Sequence, residues 1–99
     1  MNYNDVRNSL QEGKTVRIRV KGNSMVPKIM NGDAITISPD VEQLEVGDIV
    51  FCKVKGYYYD GHLITAIRGK QYQISNNHGH VNGWITKKAI YGKIIKVEK

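Results

Sequence analysis

The sequence predicts a mainly β domain, built as a bent and partly closed sheet with one short helix at its N-terminus. Three observations support this prediction. Apolar and charged residues alternate in several segments at the two-residue period of a strand. Glycine, asparagine and proline separate these segments, which is typical of short strands joined by tight turns. Helical spacing of apolar residues is confined to the start of the chain, so we expect no helical layer.

The first element is expected to be a short helix over Met1–Gly13, because Val6 and Leu10 are spaced by four and Gly13 can end the helix. Its apolar stripe is narrow, so the helix should pack on the sheet or serve a partner. The first strand follows at Thr15–Val20. Its alternation places three cations on one face and three apolar side chains on the other: Arg17, Arg19 and Lys21 against Val16, Ile18 and Val20.

Five more strands are expected, at Ala34–Ser38, Ile49–Lys55, Gly61–Arg68, Gln71–Ile74 and Ala89–Val97. The segment 56–61 holds three tyrosines and is expected to form the tip of a hairpin. The segment 76–83 is rich in Asn and Gly and is expected to be a loop, which Trp84 and Ile85 anchor to the core.

The length of 99 residues fits one domain with a modest core, so we expect a single domain over residues 1–99, with a helical segment at 1–14 and a β core at 15–99. No apolar run approaches the ~20 residues of a transmembrane helix, and no signal peptide is evident. The single cysteine, Cys52, lies in an apolar strand pattern, which predicts a buried thiol. We therefore expect a cytoplasmic protein with no membrane anchor in this chain.

One short stretch places a small hydroxyl on a stiff bend. Ser24 follows Gly22, which allows a sharp turn, and precedes Pro27, which fixes φ. A serine becomes a nucleophile only when a base from elsewhere in the chain takes its proton. On these residues alone, an ordinary polar turn is the simpler interpretation.

A series of motifs in fixed order changes that balance: Lys21-Gly22-Asn23-Ser24-Met25-Val26-Pro27, Asn31-Gly32-Asp33, Val46-Gly47-Asp48-Ile49-Val50, His62-Leu63-Ile64 and Tyr91-Gly92-Lys93-Ile94-Ile95. From about Lys21 to Val97, the chain resembles the LexA and type I signal peptidase superfamily of serine peptidases. The resemblance implies the catalytic-domain fold of that superfamily and a serine endopeptidase that cleaves an extended peptide. It makes Ser24 the nucleophile and places His62 where the base is expected, as in the Ser-His branch. An unperturbed histidine titrates near ~6.5 and can accept a proton at neutral pH.

The resemblance also implies supporting residues. Asn23 and Met25 lie beside the oxyanion position, and Met25, Val26 and Pro27 lie where substrate is expected. Asn76 stands where histidine-containing members carry a supporting aspartate, so a third catalytic member is in question. LexA repressors cut themselves at Ala-Gly or Cys-Gly, and neither dipeptide occurs in this sequence, which disfavours self-cleavage.

Two functions of other classes remain open. The first is a catalytically idle module of the same fold that captures a peptide or protein, and the second, weaker one is a basic nucleic-acid accessory protein. The net charge of +6 suggests the second function. However, the sequence shows neither an element that would enter a nucleic-acid groove nor a set of aromatic residues that would stack on bases. His62, His78 and His80 form a conceivable metal set, but no zinc-type spacing supports it, so we expect no metal and no cofactor. The expected partner is a peptide or protein substrate; the oligomeric state is open, a dimer included.

Overall fold

The computed structural model describes residues 2–99 and shows one helix and seven strands. The elements are α1 (Tyr3–Gln11), β1 (Val16–Arg19), β2 (Ala34–Ser38), β3 (Ile49–Val54), β4 (Tyr57–Arg68), β5 (Gln71–Ser75), β6 (Val81–Thr86), a 3₁₀ turn (Lys87–Ala89) and β7 (Ile90–Glu98). The mainly β prediction is confirmed, and so is the N-terminal helix; its first predicted residue, Met1, lies outside the described residues.

All seven strands form one antiparallel sheet in the order β1-β2-β7-β3-β4-β5-β6, which curls into a half-barrel. Register shifts interrupt most of the ladders, for example between Val50 and Cys52 on β3 and between Ile64 and Ala66 on β4. Such irregularities bend and twist strands, which fits the curl of the sheet. The sheet stays open, so β1 and β6 are its two edges.

Helix α1 packs on the sheet through Val6 and Leu10, which are both buried. It begins at an asparagine cap, where the Asn2 side chain accepts from the Asp5 N–H at 2.9 Å. Gly92 on β7 lies directly beneath the helix, since a Cβ there would lie 3.2 Å from Leu10 Cδ1 and 2.9 Å from the Ser38 carbonyl oxygen. The glycine therefore permits the close approach of α1, β2 and β7.

The apolar interior divides into two clusters along the sheet. The first lies under α1 and consists of Val6, Leu10, Val16, Val20, Met25, Ile29, Ile35, Ile37 and Phe51. The second is formed by side chains of β3 to β7 and consists of Val50, Cys52, Val54, Ile64, Ile74, Ile85 and Ile90. The predicted burial of Cys52 is confirmed, and burial raises the pKa of this thiol to about 12. No helix within residues 2–99 is long and apolar enough to cross a membrane.

The structure corrects the predicted hairpin tip. The turn consists of Lys55 and Gly56, both with positive φ, and the three tyrosines lie within β4, which begins at Tyr57. Tyr58 packs in an aromatic group with Tyr3, Phe51 and Tyr91. A two-residue turn was missed because the lysine takes a left-handed conformation that lysine rarely adopts.

The predicted loop at 76–83 is also shorter in the structure, because β6, a strand that was not predicted, already begins at Val81. Trp84 does not anchor this region to the core. Its ring is exposed and lies under the Arg68 guanidinium, 5.6 Å from the ring centroid, whereas the neighbouring Ile85 is buried as expected. The two residues point to opposite faces of β6, as the strand period requires.

Candidate active site

Ser24 lies on the irregular segment that leaves β1 and returns to β2, and it is exposed. Two hydrogen bonds hold the start of this segment. The Gly22 N–H donates to the Asn31 side chain at 2.9 Å, and the Lys21 N–H donates to the buried Asp60 carboxylate at 3.2 Å. Gly22 has a φ of 96°, a conformation that favours glycine, so the bend before the serine depends on this residue.

Asn77 fastens the serine segment to the opposite side of the half-barrel. Its main-chain N–H donates to the Ser24 carbonyl at 2.9 Å, and its side-chain Nδ2 donates to the Val26 carbonyl at 3.0 Å. The β5–β6 loop thus holds the residues on both sides of Met25. Sequence reasoning missed Asn77, because its role depends on contacts with residues about fifty positions away.

His62 lies on β4, opposite Val50 of β3, and its side chain is buried. The structure brings Ser24 Oγ to 3.4 Å from His62 Nε2, although the two residues are 38 positions apart. Tyr59 packs against the imidazole with 4.6 Å between the ring centroids. The other ring nitrogen, Nδ1, is buried and has no hydrogen-bond partner within residues 2–99. Among the described residues the arrangement is therefore a serine-histidine pair, with no third polar group bonded to the histidine.

Burial holds the pKa of His62 below its usual value, because the charged imidazolium loses hydration inside the protein. The negative charge of Asp60 and a main-chain interaction with Gly61 act in the opposite direction, and the charge of His80 adds to the lowering. The lowered pKa favours the neutral ring at pH 7, which is the form able to accept a proton.

Asp60 is a second residue that sequence reasoning missed. It precedes Gly61 and His62 on β4, is buried, and accepts from the Tyr3 hydroxyl at 3.0 Å as well as from the Lys21 N–H. Burial and the Asp60 charge raise the pKa of Tyr3 to about 12. Asp60 therefore ties α1 and the start of the serine segment to the strand that carries His62.

The predicted supporting residues have different environments. The Asn76 side chain accepts from the His78 and His80 N–H groups at 2.8 and 3.0 Å, so it shapes the β5–β6 loop and makes no hydrogen bond with His62. The Asn23 carbonyl accepts from the Val26 N–H at 3.2 Å and lies 3.3 Å from His78 Nε2.

The residues after Ser24 divide between the core and the surface. Met25 is only 3% exposed and its side chain packs in the first core cluster. Its thioether therefore stabilises the bend from inside the protein instead of lining a groove. Val26 is half-buried and Pro27 is exposed, so these two remain accessible beside the serine.

Main-chain donors remain available at the bend. Among the hydrogen bonds of residues 2–99, neither the Ser24 N–H nor the Met25 N–H serves as a donor. Free amides next to a serine can bind a developing oxyanion. Within the same residues, no group of three or more His, Cys, Asp or Glu side chains is placed to hold a metal ion.

A serine on a fixed bend, facing a buried histidine inside a curled antiparallel sheet, defines a serine-peptidase-like domain. The comparison with protein families agrees, since residues 2–95 match the family described as Peptidase S24-like. The chain belongs to this family, and the resemblance to the LexA and signal peptidase superfamily is confirmed at that level. A search of curated proteins gave no match for the chain.

Proposed function

We propose that this domain is a serine endopeptidase in which Ser24 is the nucleophile and His62 the general base. The observation that carries the proposal is the 3.4 Å approach of Ser24 Oγ to His62 Nε2. This distance is longer than a short hydrogen bond, and such contacts often tighten only when substrate is bound. The lowered pKa of His62 supports the same role, because only the neutral ring can take the serine proton.

The reaction is acyl transfer to water. Ser24 Oγ attacks the carbonyl carbon of the scissile peptide bond while His62 Nε2 takes the hydroxyl proton. The N–H groups of Ser24 and Met25 stabilise the negative oxygen of the tetrahedral intermediate. The proton then passes from His62 to the leaving amine, the peptide C–N bond breaks, and water, activated by the same ring, hydrolyses the acyl-enzyme.

The unpartnered Nδ1 limits how well this dyad can stabilise a protonated His62. When Nε2 accepts the serine proton, Nδ1 must carry the other ring proton, and that N–H has no acceptor among the described residues. The negative charge of Asp60 acts on the ring through its field and favours the imidazolium. We therefore infer a dyad with modest stabilisation of the imidazolium, and a slower enzyme than one with a carboxylate on Nδ1.

The same observation favours one alternative function, a catalytically idle module that binds a peptide without cleaving it. In that case the open strand edge binds the peptide, and no base activates Ser24. The two functions separate in a covalent labelling experiment, because only an activated serine reacts quickly with an electrophilic phosphonate.

The test is labelling of the intact protein by a fluorophosphonate, followed by mass spectrometry of the adduct. We expect one adduct on Ser24 in the wild type, and none in Ser24→Ala or His62→Ala. His80→Ala serves as the matched control, since it removes an imidazole that acts on His62 only through its charge. It should label like the wild type above the titration range of histidine. Full labelling of His62→Ala would assign the base to another residue, and Lys53 and Lys70 would be tested next. No wild-type labelling from about pH 5 to 10, a range that spans the titration of histidine, would favour the binding module.

A further inference from the structure

A groove of about 390 Å³ lies between the first turns of α1 and the open edge of β1. It is lined by Asn2, Tyr3 and Val6 from the helix side and by Arg17, Ile18, Arg19 and Lys21 from the strand side. The groove follows β1 toward the serine segment, and its last strand-side residue precedes Ser24 by only three positions.

The strand edge in this groove presents unpaired main-chain groups. Val20 donates its N–H to the Asp33 carbonyl at 2.9 Å, which fixes the alternation of the β1–β2 ladder. In an antiparallel ladder every second residue faces the partner strand, so Ile18 pairs with β2 while the N–H and C=O groups of Arg17 and Arg19 face the open edge. The Lys21 N–H faces the same way, and the Asp60 carboxylate accepts it. Pairing along this edge can therefore run to Arg19 and ends before the serine bend.

The two faces of the groove differ in chemistry. Arg17, Arg19 and Lys21 are exposed on the outer face of β1, and Ile18 and Tyr3 are half-buried on the inner face. Side chains that lie opposite one another on paired strands point to the same face. A strand added to this edge would therefore direct alternate side chains toward the arginines and the intervening side chain toward Ile18 and Tyr3.

The side chains beside the open edge of β1 carry an excess of positive charge. Arg17 Nε lies 3.1 Å from one oxygen of Glu98. The Arg19 guanidinium donates to the Gly32 carbonyl at 2.9 Å and forms no ion pair with a carboxylate in the described part of the chain. Lys21 forms no ion pair among residues 2–99. One carboxylate thus opposes three cations on the outer face, while Asp60 is buried and already accepts two hydrogen bonds.

We propose that the open edge of β1 binds an extended peptide with the pattern acidic, apolar, acidic. The peptide adds a strand to the sheet, its two carboxylates pair with Arg17 and Arg19, and its apolar side chain enters the groove against Ile18 and Tyr3. The proposal rests on the proposed function in one respect, since it treats this peptide as the segment that leads a substrate toward Ser24. It thereby names the substrate class, an acidic extended segment.

The experiment measures the affinity of Ser24→Ala, which cannot cleave, for fluorescent peptides with blocked ends. Three peptides differ only at their centre: Glu-Leu-Glu, Gln-Leu-Gln and Glu-Glu-Leu. We expect Glu-Leu-Glu to bind about fivefold or more tightly than Gln-Leu-Gln, because two exposed ion pairs contribute a free energy of that order. This preference should shrink with added salt. Glu-Glu-Leu carries the same charge in the wrong alternation and should bind more weakly than Glu-Leu-Glu.

Protein variants assign the site. Replacing both Arg17 and Arg19 with glutamine should remove the preference for Glu-Leu-Glu, whereas the matched loss of two charges in Lys87→Gln with Lys88→Gln should leave it unchanged. Peptides with N-methyl groups on one or the other alternate set of amides test strand addition, because only one set of N–H groups faces β1. One methylated peptide should lose binding and the other should keep it.

Several outcomes would overturn the inference: equal affinities for the three peptides, a preference that survives the arginine replacements, or equal binding of both methylated peptides. Displacement of the acidic peptide by a single-stranded oligonucleotide, with tighter binding of the latter, would reassign the cations to nucleic acid. The outcomes are separate from the test of catalysis. Labelling of Ser24 without an acidic preference overturns this inference alone, whereas acidic binding without labelling overturns the peptidase proposal and leaves the binding site standing.

Discussion

Replacing Asn77 with alanine separates positioning of the serine from general stability. The change removes the hydrogen bond from Nδ2 to the Val26 carbonyl, while the main-chain bond to the Ser24 carbonyl is unaffected by it. One side-chain hydrogen bond contributes about 0.5–1.5 kcal/mol to the free energy of unfolding. For a domain of this size the Tm should fall by about 4–8 °C per kcal/mol. The fold should therefore survive the change at 25 °C.

The effect on reactivity should be much larger than the effect on stability. The serine segment would lose one of the two bonds that hold it to the β5–β6 loop, and a displacement of about 1 Å at a reacting group can cost ~100-fold in rate. We expect fluorophosphonate labelling of Ser24 to slow by about 10- to 100-fold in Asn77→Ala. The assay is the second-order rate constant for labelling at 25 °C, beside thermal unfolding followed by circular dichroism.

Asn4→Ala is the matched control. It also removes one side-chain hydrogen bond, the one accepted from the Tyr58 hydroxyl at 2.7 Å, but at the surface of α1. This variant should label at the wild-type rate. The reasoning is refuted if Asn77→Ala labels as fast as the wild type, or if Asn4→Ala loses reactivity to the same extent.

Four further predictions concern pH, burial and packing. Labelling should rise with pH through a limb below the usual ~6.5 of histidine, because burial lowers the pKa of His62; Asp60→Asn should move the limb to still lower pH, since the Asp60 charge raises that pKa. The same lowered pKa should make the free energy of unfolding, measured by urea titration, fall below about pH 6.5, because the unfolded chain then binds the proton more readily. Cys52 should resist thiol reagents at pH 8 until the protein unfolds, because burial raises its pKa to about 12. Gly92→Ala should destabilise the fold by about 1–3 kcal/mol in the same titration, because its Cβ would overlap Ile37 Cγ2.

Much of the fold follows from local patterns in the sequence. The alternation of β1 and the spacing of Val6 and Leu10 predict these two elements correctly, because a strand or helix with one buried face has apolar residues at regular intervals along that face. The turn at Lys55 and Gly56 was not predicted. The prediction therefore placed the three tyrosines in a loop, whereas they belong to β4. Turns of this kind depend on the conformation of a single residue, which periodicity does not reveal.

The site shows the same division. Ordered motifs singled out Ser24 and His62, which the structure brings to 3.4 Å from one another, because such motifs tie each residue to its neighbours in the chain. Asp60 and Asn77 belong to no local pattern, because each acts on a segment 39 or more positions away. The burial of Met25 was missed for a related reason, since one apolar residue in a turn does not show which way it points. Contacts between segments that are distant in the chain form only once the strands of the sheet are in place.

The most direct test of the central claim is cleavage of a broad peptide library, with new termini mapped by mass spectrometry for the wild type, Ser24→Ala and His62→Ala. If Ser24 and His62 form a working dyad, the wild type alone should generate new termini, and these should accumulate beyond one product per enzyme. The same termini from Ser24→Ala would contradict the assignment of the nucleophile. A wild type that binds library peptides and cleaves none of them would contradict the enzyme and leave a peptide-binding domain.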